Sequence, residues 1–137
     1  MADKLKLEMV TPYKRLLSEE VDELTAPGFV GELGILPGHT PLLTTLKVGE
    51  LSYKKDNEQF HVAVNWGYLE VEDDTVTVLV DTAEKSDEID FARAKAALDR
   101  AEDALKSLPL EDKKHIIMEA ALQRALIRIQ VAGKKGH

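Results

Sequence analysis

Cysteine is missing altogether from this 137-residue chain, which excludes disulfide bridges and thiolate metal sites. A basic surplus is missing too. The formal net charge of −7 argues against a general nucleic-acid binder, whose contact surface would be basic. No apolar run approaches the length of a membrane span. The opening MADKLKLEMV has neither the apolar core of a signal peptide nor the arginine-rich character of a mitochondrial presequence, which predicts a soluble intracellular protein. The four histidines, His39, His61, His115 and His137, show no metal-type spacing, and no serine sits in a nucleophile elbow. No nucleophile is paired with a base, so the sequence predicts a non-enzyme without a required cofactor or metal.

Glycine is scarce and unevenly used. Five of the eight glycines fall at 28, 31, 34, 38 and 49, inside the apolar stretch 26–51. That density points to tightly cornered β-structure, with Pro37-Gly38 placed for a turn. A phosphate loop is excluded there, because no Gly-Lys-Ser/Thr follows and no helical pattern opens after the glycines.

Leu5, Leu7 and Met9 begin a period-two pattern, repeated by Phe60, Val62 and Val64. Short strands follow one another through residue 80, joined by polar turns at 54–58 and Asp73-Asp74. The reading is an α+β chain: an antiparallel β-sandwich of eight to ten short strands over residues 1–85, then a C-terminal antiparallel two-helix hairpin over 89–132 and a basic tail over 133–137. The acidic stretch 81–88 (DTAEKSDE) reads as the linker. From 89 to 132 there is no glycine and one proline. Ala94, Ala97, Leu98, Ala101, Ala104, Leu105 and Leu108 share one helical face. Asp90 is placed as the N-cap, Leu108-Pro109 as the stop, and a second helix runs over 111–131 to Gly133. An alanine seam buries less apolar area than a leucine seam, so the hairpin is expected to open at modest cost.

Charge follows the same division. Residues 1–88 hold 8 Lys/Arg against 18 Asp/Glu, and residues 89–137 hold 10 against 7. The halves are therefore expected to face different partners. Trp66, between Asn65 and Gly67, is expected to anchor the core. Arg93 and Arg100 lie seven apart on the first helix, and Arg124 and Arg128 four apart on the second. If the helices fold back, the four guanidinium groups could converge on a polyphosphate. The plainer alternative pairs them with Asp99, Asp103 or solvent.

The stretch GFVGELGILPGHTPLLTTLKVGEL (28–51), together with Ile89-Asp90-Phe91-Ala92-Arg93-Ala94, resembles the epsilon subunits of bacterial F-type ATP synthases, counterparts of the mitochondrial delta subunit. The resemblance covers essentially the whole chain. It implies a central-stalk (rotor) epsilon subunit that couples proton (or sodium-ion) translocation to ATP synthesis and inhibits ATP hydrolysis through mobile C-terminal helices. The implied partners are the gamma subunit, the membrane rotor c-ring, and the alpha and beta subunits of the catalytic head. The implied location is peripheral, on the cytoplasmic face of the bacterial cell membrane, without direct membrane insertion. By the same resemblance Glu84, Ile89, Asp90, Arg93, Ala94, Arg100, Arg124 and Arg128 would form a regulatory ATP site. Glu32 would contact the ring, and His39 would lie beside gamma. The alternatives from other classes are a free-standing nucleotide-sensing module and a helical-hairpin adaptor.

Overall fold

The computed structural model describes residues 3–134. Among the described residues eight strands precede two helices. The strands are β1 (Leu5–Val10), β2 (Arg15–Val21), β3 (Glu23–Pro27), β4 (Glu32–Ile35), β5 (Leu42–Leu46), β6 (Gly49–Lys55), β7 (Glu58–Glu72) and β8 (Thr75–Lys85). A single 3-10 turn (Ser86–Glu88) leads into α1 (Phe91–Ser107) and α2 (Lys113–Ala132).

The long strand β7 explains how the strands form two layers. Its first half pairs with β6, Gly49 opposite Val64 through Lys55 opposite Glu58. Its second half pairs with β5, Leu42 opposite Val71 through Leu46 opposite Gly67. β5 and β6 thus behave as one strand interrupted at Lys47-Val48, while β7 stays continuous and is bordered by β8 from Val62 to Glu72. One layer grows from the β6 side through β3 and β4, and the other from the β8 side through β1 and β2. Leu5, Leu7, Met9 and Val78 from one layer meet Leu24, Ile35, Leu51 and Tyr53 from the other in a single core. The period-two alternation thus reports true burial in β1, where Leu5, Leu7 and Met9 are fully enclosed.

The structure departs from the sequence reading at several points. The sandwich is not purely antiparallel, because β1 runs parallel to β8, Lys6 opposite Thr75 through Val10 opposite Leu79. Local alternation carries no information about partner direction, so this pairing was hidden. The stretch read as a linker is mostly strand: β8 continues to Lys85, where its polar residues pair with β7 in register, Ala63 opposite Glu84. The second helix begins at Lys113, two residues later than expected, capped by the Asp112 carboxylate accepting from Lys114 N–H. Trp66 does not anchor the core. Its side chain is half exposed, and its backbone has φ +40° inside β7.

Other expectations hold. Asp90 caps α1, its carboxylate accepting from Arg93 N–H at 3.0 Å, and α1 ends before Leu108 turns extended ahead of Pro109. The 56–57 and 73–74 turns each carry two positive φ values, as tight hairpins require. Gly38 at φ +87° gives the turn after Pro37 its left-handed residue.

The helices stand apart energetically. The core cluster among the described residues draws only on the sandwich. The buried side chains of the helices are Ala94, Ala101, Ala125 and Val131, mostly the small residues of the seam.

Candidate functional site

Three of the arginine-site candidates come together where α2 crosses β7 and β8. Glu84 on β8 accepts from Arg128 on α2, with Nε 2.7 Å from one carboxylate oxygen and Nη2 3.0 Å from the other. Arg124, one turn earlier, lines the same cleft with Asn65, Thr82 and Ile127. The cleft encloses only about 30 Å³, room for about one water. With Arg128 on Glu84, a triphosphate does not fit inside. Asn65 adds a buried carbonyl oxygen that finds no donor.

The remaining candidates are arranged differently. Ile89 is half-buried between the 3-10 turn and α1, Asp90 is spent on capping, and Ala94 is fully buried in the helix seam. Arg93 and Arg100 are exposed on α1 and do not join the cleft lining. Asp99 pairs with Lys95 at 3.4 Å and Asp103 with Lys106 at 3.9 Å. Neither carboxylate takes up an arginine. Among the described residues Arg93, Arg100 and Arg124 lie within 4.0 Å of no carboxylate.

Glu32 is the exposed first residue of β4, just past the turn at 28–31. His39 lies in the loop beyond β4, its Nδ1–H donating to the Thr40 carbonyl at 2.7 Å. That loop is fastened to the β7–β8 turn by Gly38 N–H donating to the Asp74 carboxylate, also at 2.7 Å. The two residues thus mark opposite ends of β4 rather than one cluster.

An uncovered apolar face is visible in the fold. Thr45, Tyr68, Leu79 and Val10 lie side by side across β5, β7, β8 and β1. Tyr68 and Leu79 are half exposed, and Leu43, two residues along β5, is 69% exposed. Trp66 and Phe29 extend the patch. With Thr45, Leu46, Gly67 and Tyr68 they line a shallow depression of about 390 Å³. Phe29 belongs to the turn preceding Glu32, so the apolar face and the Glu32 tip are continuous. An exposed set of this size and aromatic content marks an interaction surface. The sequence held one signal for it, Asn65-Trp66-Gly67, whose flanking turn formers sit inside an otherwise regular strand.

A second polar cluster escaped the sequence reading. Glu50 on β6 accepts from His61 Nδ1–H at 3.0 Å, from Gln130 Nε2 at 3.1 Å, and from Lys134 Nζ at 2.8 and 2.9 Å. Burial pushes its carboxyl up, but the three donors together outweigh burial and hold it below its ordinary value of 4.5. Nearby, Tyr53 stacks on Phe60 with ring centres 5.0 Å apart. Burial, helped by the Glu19 carboxylate, pushes the Tyr53 phenol up to about 12. Among the described residues no cluster of His, Asp or Glu has the arrangement of a metal site, and no helix is long and apolar enough to cross a membrane.

A sandwich with an uncovered apolar face, carrying a helical pair docked by ion pairs, has the build of a subunit in a larger assembly. Comparison with known proteins agrees. The family described as ATP synthase, Delta/Epsilon chain, beta-sandwich domain matches residues 4–86, and the corresponding long alpha-helix domain matches residues 87–133. The ATP synthase epsilon chain of Geotalea daltonii is 68% identical over 99% of this chain and 99% of its own length. That of Geobacter sulfurreducens is 68% identical over 98% and 97%. Among solved structures, a chain of the Euglena gracilis mitochondrial ATP synthase (OSCP/F1/c-ring, rotational state 1) superposes with TM-score 0.81 at 24% identity, covering 96% of this chain and 82% of that one. Both family matches fall on the strands and helices described above, and the chain belongs to the delta/epsilon family of ATP synthase subunits.

Proposed function

We propose that this chain is a non-catalytic rotor subunit that ties the gamma subunit to the membrane c-ring, and that its helices restrain ATP hydrolysis by the alpha and beta subunits. In this reading it sits peripherally, at the cytoplasmic face of the membrane, and helps to couple proton or sodium-ion flow to ATP synthesis. The observation that carries the proposal is the division of labour in the fold. The sandwich has a complete core of its own and an exposed face of Trp66, Tyr68, Leu79 and Leu43. The helices bury mainly alanines and meet the sandwich through two ion pairs and a small apolar contact at Ile127 and Val131. They contribute nothing to its core cluster, so they can leave it without dismantling that core. The apolar face is the docking surface for gamma, the Glu32 tip is the ring contact, and His39, in the loop beyond β4, lies beside gamma.

The same reading makes ATP a regulatory ligand of the hairpin, with Arg93, Arg100, Arg124 and Arg128 on the phosphates and Glu84, Ile89, Asp90 and Ala94 toward the base. Because the cleft is closed around the Glu84–Arg128 pair, binding requires Arg128 to exchange a carboxylate for a phosphate. ATP then biases the hairpin only by its differential affinity for the folded form.

The test is hydrolysis by a complex of the alpha, beta and gamma subunits, titrated with this protein. Addition should suppress turnover, and Trp66→Ala with Tyr68→Ala should raise the concentration needed by more than about tenfold, as loss of aromatic interface anchors does. An unchanged rate with no association at micromolar concentration would overturn the assignment. Calorimetric titration with Mg-ATP, set beside an Arg93→Ala, Arg124→Ala double variant, checks the nucleotide site. Heat that the double variant loses supports the site, and no heat from the unsubstituted protein rejects it.

A further inference from the structure

We infer that Glu50 is an ionic latch, the anchor by which the sandwich holds the C-terminal end of α2, separate from the arginine cluster. The inference rests on the reading that the hairpin moves, and it names the contact that restrains it.

The cluster is built rather than incidental. Glu50 lies on the sheet opposite Ala63, with only 14% of its side chain exposed, and His61 beside it is 15% exposed. A carboxylate this enclosed needs partners, and it receives three donors from two elements. His61 comes from β7 and fixes the carboxylate on the sandwich whether or not the helix is present. Gln130 and Lys134 lie 80 and 84 residues away in the chain and reach Glu50 only when α2 is docked. Lys134 bridges both carboxylate oxygens. It also lies just past the end of α2, where the helix dipole is negative and would repel an unaccompanied Glu50. The lysine is therefore what makes this end of the helix compatible with an acidic site.

Among the described residues, apolar cover at that end is limited to Val131 and, one turn earlier, Ile127 against Val48 and Ala63. The buried side chains of α2 among the described residues are Ala125 and Val131. Glu50–Lys134 and Glu84–Arg128 are two carboxylates on the sandwich meeting two cations, one on α2 and one just past its end. Only the second involves a residue of the arginine cluster. The two clamps divide the docking. A phosphate competes for Arg128, whereas the Glu50 latch persists in either state of that site. Lys134 is already 42% exposed, so its ammonium rehydrates readily once apart from Glu50. Opening thus exposes only a small apolar set, chiefly Val131 with Ile127 on α2 and Ala63 on β7.

The absence of native cysteine makes the test clean. Cysteines placed at Glu58, in the β6–β7 turn region, and at exposed Gln123 on α2 take spin labels, and their distance distribution is measured on the full chain without nucleotide. The unsubstituted protein should show one short population. Glu50→Gln and Lys134→Gln should each raise the ratio of undocked to docked molecules by roughly tenfold. The double variant should add little to either, because both remove one contact. The sandwich melt should stay unchanged in Lys134→Gln, which rules out general unfolding. Unchanged distances in both single variants, or fully additive effects in the double, overturn the latch. A shift in both variants that leaves hydrolysis by the head complex unaltered upholds the latch and rejects the inhibitory role of the hairpin.

Discussion

Gly67 is the position where the two-layer architecture can be broken with one methyl group. It lies opposite Val80 on β8 and Leu46 on β5, where β7 passes from one layer to the other. A Cβ there would stand 1.9 Å from the Leu79 carbonyl oxygen and 2.8 Å from Val80 Cα. Both are backbone atoms of a strand fixed by its pairing to β7, and the same strand also pairs with β1, so neither can rotate aside. Reaching an ordinary contact requires the strands to part by more than about 1 Å. Overpacking of this kind costs about 1–3 kcal/mol. A weakened ladder hydrogen bond adds about 1 kcal/mol. Against a total stability of about 5–15 kcal/mol, Gly67→Ala should lower the melting temperature by about 6–12 °C, at about 3 °C per kcal/mol for a chain of this size. The assay is thermal unfolding followed by far-UV circular dichroism, with Gly34→Ala as control. At Gly34 an added Cβ meets nothing within 4 Å, so its melt should stay within about 2 °C of the parent. A Gly67→Ala protein that melts with the control would refute the reasoning, because the close approach of β7 and β8 would then be dispensable.

Three other outcomes follow from particular contacts. Trp66 holds φ +40° in a strand while its ring stays half exposed, so Trp66→Gly should leave thermal stability unchanged or raise it by up to about 1 kcal/mol, while weakening association with gamma in a pull-down titration. Tyr53 has its phenol raised from 10.0 to about 12, so the folded state holds a proton that the unfolded state releases. The resulting stability is complete below pH 10 and fades as pH climbs toward 12; urea midpoints should fall over that window, and less steeply in Tyr53→Phe. Glu50 has its carboxyl held below 4.5, so its contribution is present above that pH and is lost as pH falls through the lower folded value. Label distances should therefore lengthen in acid, and Glu50→Gln should flatten that dependence.

The sequence announced whatever depends on neighbours in the chain. Alternation marked β1 and β7, the turns at 54–58 and Asp73-Asp74 followed from their polar residues, and the cap at Asp90 from residue type just before a helical pattern. The start of α2 after Asp112, by contrast, was placed two residues early. Resemblance supplied the family. Direction of pairing was not legible, since β1 would alternate identically beside a parallel or an antiparallel partner. The end of β8 was misread because Thr82, Glu84 and Lys85 are polar, although their backbone still pairs with β7. Of the arginine constellation, the helical spacing was legible but the Glu84–Arg128 pairing was not, because it joins residues 44 apart.

Trp66 was misjudged and Glu50 went unnoticed, and the two depart from the usual rules in opposite directions. A large aromatic between strands is normally enclosed, but the left-handed backbone at Trp66 turns the residue outward, beside Tyr68 and Leu79. An acidic residue in an exposed-looking strand is normally solvated, but Glu50 is enclosed because the returning helix covers it. Each exception places a residue where folding alone would not. The uncovered indole has no use in the isolated chain, and its backbone strain of about 1–3 kcal/mol is offset only if a partner covers the ring. The covered carboxylate needs α2 for its full set of donors, and losing them leaves it only His61. One exception therefore calls for a lasting partner and the other for a contact that can be broken. The proposed arrangement, a fixed sandwich carrying a releasable hairpin, would satisfy both.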